Sequence, residues 1–278
     1  MSTNYHKVLK TVGSQTARLL TALYDRSQTT FTLRDVEKIT GLRPALASSL
    51  IHKAANRGLV SRLKRGVFMI VPAELGSSVE YSGNPYLVAR RLAGHAPCFI
   101  SYASAMEIHR MVTQPQFVIF ASSTKRVPNR TIRGTQFRFV FIKPKHFFGT
   151  TKHWVTKQES VEVSDLERTV IDGLRQPEYC GGVTDVARGL WMRHQDMRPA
   201  KLVDYALRLG VGAVTRRLGY LLELYALESE QELARLQGSL TPTYVLLDPM
   251  LPKEGTYLAR WRLRANIAPR ELEEVRGT

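Results

Sequence analysis

Apolar positions along the first part of the chain recur at two different periods. In QTARLLTALY (15–24), Ala17, Leu20 and Tyr24 recur at helical spacing with Leu19 and Leu23 beside them, which predicts an amphipathic helix. In the following FTLRDVEKITG, Thr32 is placed to N-cap a helix over 33–40, with Leu33, Val36 and Ile39 inward and Gly41 closing it. After the turn GLR, Pro44 suits a first helical position. The helix it opens, PALASSLIHKAANRG, points Ala47, Leu50, Ile51 and Ala54 inward and ends at Gly58. The period then drops to two: LVSRLKRGVFMIVP alternates as a two-stranded ribbon with Lys64, Arg65 and Gly66 at its tip. Three helices followed by a basic hairpin predict a winged helix-turn-helix over residues 1–72.

Pro72 and the stretch AELGSSVEYSGNP read as a linker over 73–84. Beyond it, PYLVARRLAG and SYASAMEIHRM predict short helices, the second with Ser101 as N-cap. QFVIFAS predicts a strand, and TQFRFVFIKP a second, with Phe137, Phe139 and Phe141 on one face. HWVTKQESVEVS gives further short strands. Then the pattern turns helical: Ser164 is placed to cap DLERTVIDGLRQ, with Glu167 completing a capping box, and three more helices follow. The tail, TPTYVLLDPMLPKEGTYLARWRLRANI, is expected to return as extended structure and pair with the middle sheet. The predicted fold class is α+β: the winged helix-turn-helix, then over 85–278 an α+β domain with a small mixed sheet and a C-terminal helical part.

Charge adds a direction to this pattern. Lys and Arg number 40 against 24 Asp and Glu, a formal net charge of +16. Residues 1–72 hold 12 Lys/Arg against 3 Asp/Glu, residues 73–163 hold 12 against 5, and residues 164–278 hold 16 against 16. A surplus concentrated on a winged helix predicts double-stranded DNA as partner. On the third helix the outward positions are Arg43, Ala45, Ser48, Ser49, His52, Lys53 and Asn56. Ser48, Ser49 and His52 can hydrogen-bond base edges, while Lys53 and Arg57 suit phosphates. Arg62, Lys64 and Arg65 sit where a wing reaches a minor groove or flanking backbone. The polar loop STKRVPNRTIRG adds Lys125, Arg126, Arg130 and Arg133 as candidate secondary nucleic-acid contacts.

Other chemistry is thinner. Asp165, Glu167 and Asp172 form an acidic cluster that would suit a nuclease-like, nucleic-acid-processing enzyme targeted by the winged helix. At helical spacing, however, Glu167 points away from the other two, and an Arg168–Asp172 pair at i,i+4 is the simpler reading. His109 lacks a second His four residues away, Gly181–Gly182 lacks the rest of a phosphate loop, and Cys98 and Cys180 have no His–Asp pattern nearby. No enzyme activity, metal or cofactor is expected. Two thiols, no long apolar run and no apolar core in MSTNYHKVLK predict a cytoplasmic protein without a membrane span.

Five stretches carry a further resemblance: TLRDVEKITGL, SLIHKAANRGLVSRLKRGVFMI, FISYASAMEIHRM, VEVSDLERTVIDGLRQPEYCGGV and AVTRRLGYLLE. In this order, over residues 15–225, the chain resembles the AbiEi-type antitoxins of bacterial type IV toxin–antitoxin systems. The last fifty or so residues (226–278) match no motif of that family. The resemblance implies a repressor of its own operon that binds promoter repeats through the winged helix. It also implies a second domain that neutralises a co-expressed nucleotidyltransferase-like toxin. Carried over by position, the DNA contacts fall on Ser48, Ser49, His52, Lys53, Arg62 and Arg65, whereas Ser101, Ser104 and the Glu167–Arg168–Asp172 group read as structural.

Overall fold

A computed structural model describes residues 12–72, 83–114, 116–132, 134–227 and 229–277; the predicted linker therefore lies mostly outside the described residues. Among the described residues the order begins with α1 (Ser14–Asp25), β1 (Thr30–Thr32), α2 (Leu33–Thr40), α3 (Pro44–Asn56), β2 (Val60–Lys64) and β3 (Val67–Ile70). The three strands form an antiparallel sheet in the order β1-β3-β2, which completes a winged helix. Helix signals read from the sequence act as expected. Thr32 caps α2, its hydroxyl accepting the Asp35 N–H while the Asp35 carboxylate accepts the Thr32 N–H at 2.7 Å, and Gly41 ends the helix at φ +73°. One reading needs correction, and one element has no counterpart in the sequence pattern. Strand β1 is too short to show a period, and α1 buries Thr16, Leu19 and Leu23, while Tyr24 is 54% exposed. The stripe on α1 is shifted because its inward side includes a threonine. The core of this part gathers Leu19, Leu23, Phe31, Val36 and Ile51.

Next come α4 (Pro85–Ala93), β4 (Cys98–Ile100), α5 (Tyr102–Ile108), β5 (Val118–Ser123), β6 (Arg130–Ile132), β7 (Thr135–Phe141), β8 (Thr150–Trp154) and β9 (Ser160–Ser164). The strands β4 to β9 form one sheet in the order β6-β7-β5-β4-β9-β8. It is mixed, since β4 pairs parallel with β9 and antiparallel with β5. The remaining elements are α6 (Leu166–Arg175), α7 (Val183–Arg193), α8 (Pro199–Leu209), α9 (Gly212–Leu224), α10 (Glu230–Gln237), β10 (Val245–Leu246), β11 (Thr256–Leu258), β12 (Leu263–Ala265) and α11 (Pro269–Glu274). The fold is α+β, as the sequence predicts.

By its internal contacts the chain divides into two compact units. One comprises residues 1–97, 127–137 and 152–161; the other comprises 98–126, 138–151 and 162–278. A boundary at the linker, with a domain starting at residue 85, is thus not where the contacts break. Helix α4 belongs with the winged helix because Arg91 donates from Nε to the Thr30 hydroxyl at 2.6 Å, and Lys64 Nζ donates to the Leu92 carbonyl at 3.1 Å. Segment 152–161 belongs there through Glu159, a buried carboxylate. It accepts the Thr29 hydroxyl at 2.6 Å and the Thr29 N–H at 3.2 Å, and it faces Arg91 at 3.8 Å.

In the second unit two further expectations change. The N-cap of α6 is Asp165, which accepts the Arg168 N–H at 2.8 Å; Ser164 instead hydrogen-bonds Thr169 at 2.8 Å. The carboxylate is the stronger acceptor for a helix N-terminus, and it moves the start by one residue. The tail does not join the middle sheet: β10, β12 and β11 form their own three-stranded sheet. Trp261 from this tail lies 1% exposed over α9 at Gly219, where a Cβ would stand 2.0 Å from the indole ring. The motif AVTRRLGYLLE is therefore a packing motif. Gly219 admits Trp261, Arg216 donates to the Thr241 and Thr243 carbonyls, and Arg217 donates to those of Leu174 and Leu246.

Candidate nucleic-acid interface

Helix α3 buries Ala47, Ile51 and Ala54 and packs against β2. The same period leaves Arg43, Ala45, Ser48, Ser49, His52, Lys53, Asn56 and Arg57 exposed. Leu46 joins them at 57% exposure, an outward apolar residue missed in the sequence because Leu reads as core. The exposed face carries no acidic side chain. Its N-terminal end, where Pro44 starts the helix, has no side-chain cap on Arg43, so the positive end of the helix dipole is presented among small residues.

In the wing, Arg62 and Arg65 are exposed, with Gly66 at φ +75° making the turn between β2 and β3. A register shift between Arg62 and Lys64 lets Leu63 turn inward. Lys64 departs from the role predicted for it. Its side chain is half-buried and its ammonium is tied to the Leu92 carbonyl, so it anchors α4 and does not extend from the wing. Burial, and then the nearby positive charge of Arg130, hold it below the usual lysine range.

The four cations of the polar loop do not act as one group. Lys125 and Arg126 lie in the second unit, Arg126 with its guanidinium 5.7 Å from the centre of the Phe141 ring. Arg130 is exposed and lies in the first unit, while Arg133 falls outside the described residues. Over the two units the surplus is sharply divided: 18 Lys/Arg against 6 Asp/Glu in the first, and 22 against 18 in the second.

The acidic cluster of the second unit is wired into the fold. Asp165 accepts the Tyr205 hydroxyl and the Lys201 ammonium at 3.0 Å each; Glu167 accepts the Arg198 N–H at 3.0 Å and Lys201 at 2.8 Å. Burial alone would raise the Glu167 pKa, but these bonds hold it below the usual carboxylate range. Asp172 is sealed from solvent, 2.9 Å from the Arg168 guanidinium, and burial outweighs that attraction to push its pKa up. Among the described residues no three His, Cys, Asp or Glu side chains converge as metal ligands. The nuclease-like alternative thus gains no support from these carboxylates. The second unit also holds a cleft of about 570 Å³ lined by Phe117, Phe120, Arg138, Glu178, Tyr179 and Arg188, brought together from separate stretches of the chain. No helix among the described residues is long and apolar enough to cross a membrane.

No family model matches the chain, and no curated protein matches it. Among solved structures it is similar to the RV2827C protein from Mycobacterium tuberculosis, with a TM-score of 0.71 at 16% sequence identity, over 99% of this chain and 98% of that one. The likeness is one of fold.

Proposed function

We propose that the chain is a cytoplasmic, sequence-specific DNA-binding autorepressor that docks on its own promoter through α3 and the β2–β3 wing. The reading rests on one observation: a winged helix whose outward helix face is free of acids and is flanked by Lys53, Arg57, Arg62 and Arg65. In that reading Ser48, Ser49 and His52 face base edges while the cations engage phosphates. From the resemblance in sequence, the second unit is the antitoxin part, counteracting a co-expressed nucleotidyltransferase-like toxin.

The test is binding of the full chain to a labelled duplex carrying the region upstream of its own reading frame, measured across salt concentration. Affinity is expected to fall steeply, with a log–log slope of about 0.9 per phosphate contacted. The double variant Lys53→Ala/Arg65→Ala is expected to lose affinity for every sequence and to flatten that slope by about 2. Wild-type binding by this variant would overturn the docking face. The antitoxin arm is read separately, by whether expression of the chain restores growth of cells expressing the neighbouring reading frame.

A further inference from the structure

The tail, which carries none of the resembled motifs, builds a face of its own. In β12 and the turn before it, Trp261, Leu263 and Ala265 are buried, and the residues between them, Arg262 and Arg264, turn outward. Strand β11 sets Tyr257 directly opposite Arg264, so the two share the outer face. Tyr244, the residue before β10, completes it. The rings of Tyr244 and Tyr257 meet edge to face with their centres 5.1 Å apart. The Arg262 guanidinium lies 5.6 Å from the centre of the Tyr244 ring, and the Arg264 guanidinium 5.4 Å from that of Tyr257. The approach to Tyr244 is pinned by Arg216, which donates to the Thr241 and Thr243 carbonyls at 2.8 and 3.0 Å.

This face is charged but unpaired. Among the described residues no carboxylate pairs with Arg262 or Arg264, whereas the neighbouring Arg260 is held by Glu223 at 2.9 Å and Glu230 at 2.8 Å. Tyr257 is 63% exposed, and Arg262 is exposed in a left-handed backbone conformation, φ +51°, that an arginine rarely adopts. We propose that the tyrosine–arginine face binds single-stranded RNA, unpaired bases stacking on the tyrosine rings while Arg262 and Arg264 take the phosphates between them. A duplex keeps its bases stacked inside and cannot offer them to a ring, whereas an unpaired strand offers both a base face and a phosphate. An acidic peptide answers the arginines alone. RNA is the strand that fits because its unpaired loops and ends persist where DNA strands re-pair, and because its 2′-hydroxyl is a partner for the tyrosine hydroxyls. The face belongs to the second unit and is independent of the DNA-binding reading.

The experiment measures binding of a labelled oligoadenosine RNA of about 12 nucleotides to the full chain across salt, beside the DNA strand of the same length and the promoter duplex. Tyr257→Ala is expected to weaken RNA binding about five- to twentyfold, while Tyr257→Phe, which keeps the ring, stays within about twofold of wild type. The double variant Arg262→Gln/Arg264→Gln is expected to lower the RNA salt slope by about 1.4, two phosphates at about 0.7 each. Duplex affinity is expected to stay unchanged in all three. The same losses are expected in a Lys53→Ala/Arg65→Ala background, which separates this face from the winged helix. RNA affinity unchanged by Tyr257→Ala, together with a wild-type slope in the double arginine variant, overturns the site. Equal losses in Tyr257→Ala and Tyr257→Phe overturn stacking as its basis, and a DNA strand bound as tightly with the same losses overturns RNA as its occupant.

Discussion

Arg168 and Asp172 stand one turn apart in α6, both side chains essentially sealed from water. The guanidinium is held between Phe148, 4.3 Å from the ring centre, and Phe99 at 5.8 Å. With these neighbours it has no route to solvent, so Asp172→Ala leaves an uncompensated buried charge. The expected loss is about 3–5 kcal/mol of unfolding free energy in urea titrations. Glu167, two positions past Asp165, gives the complementary pH effect. Its pKa lies below the unfolded value, so its stabilisation is present above about pH 4.3 and is lost as pH falls through the folded value. Glu167→Gln is therefore expected to be less stable than wild type at neutral pH and to converge with it in acid. A constant difference between the two melting profiles from neutral pH into acid would contradict this. That Arg168 pairs with Asp172 was legible from i,i+4 spacing. That Glu167 turns to Lys201 was not, because the two meet only once α8 packs on α6.

At the scale of elements, periodicity carried most of the reading. α2, α3 and the β2–β3 ribbon follow from apolar spacing together with Thr32, Gly41, Pro44 and Gly66, residues whose backbone preferences act locally. The outward face of α3 was legible for the same reason, because whatever one face of a helix buries its other face must expose. Where a distant partner decides, sequence reasoning failed. The tail pairs within itself, and its Trp261 covers Gly219, a glycine that local pattern cannot distinguish from any other in a helix. Gly219→Ala is expected to force the indole aside and to lower stability by about 1–3 kcal/mol, read by thermal unfolding. On the proposed DNA-binding reading, the same local logic gives α3 a division of labour. Ser49→Ala is expected to change which bases are preferred in a binding-site selection while leaving the salt slope alone, since a hydroxyl reads edges and carries no charge.

For the molecule as a whole, the decisive step is that distant stretches of chain join the winged helix, and Glu159 is the group that ties one of them down. It is the first acid after Glu107 in sequence, it is buried, and it gathers the Thr29 hydroxyl, the Thr29 N–H and the Arg91 guanidinium at the base of β1. The sequence shows Glu159 as an exception in a basic run but gives no hint of its partner, since Thr29 lies 130 residues away. Glu159→Ala strands these donors in a half-buried site, and the expected loss is about 1–3 kcal/mol, whereas Glu159→Gln keeps an acceptor for Thr29 and is expected to lose less. On the proposed DNA-binding reading, charge and geometry then pull in opposite directions. Removing an acid from the basic unit favours a polyanion, while loosening the base of β1 disturbs the sheet on which the wing is built. If the packing of 152–161 matters to the docking face, Glu159→Ala binds the promoter duplex more weakly despite its more positive charge, and amide exchange rises both in 152–161 and at Thr29–Phe31. If binding instead tightens and exchange is unchanged, the segment contributes charge alone, and the joined stretches are not part of the binding architecture.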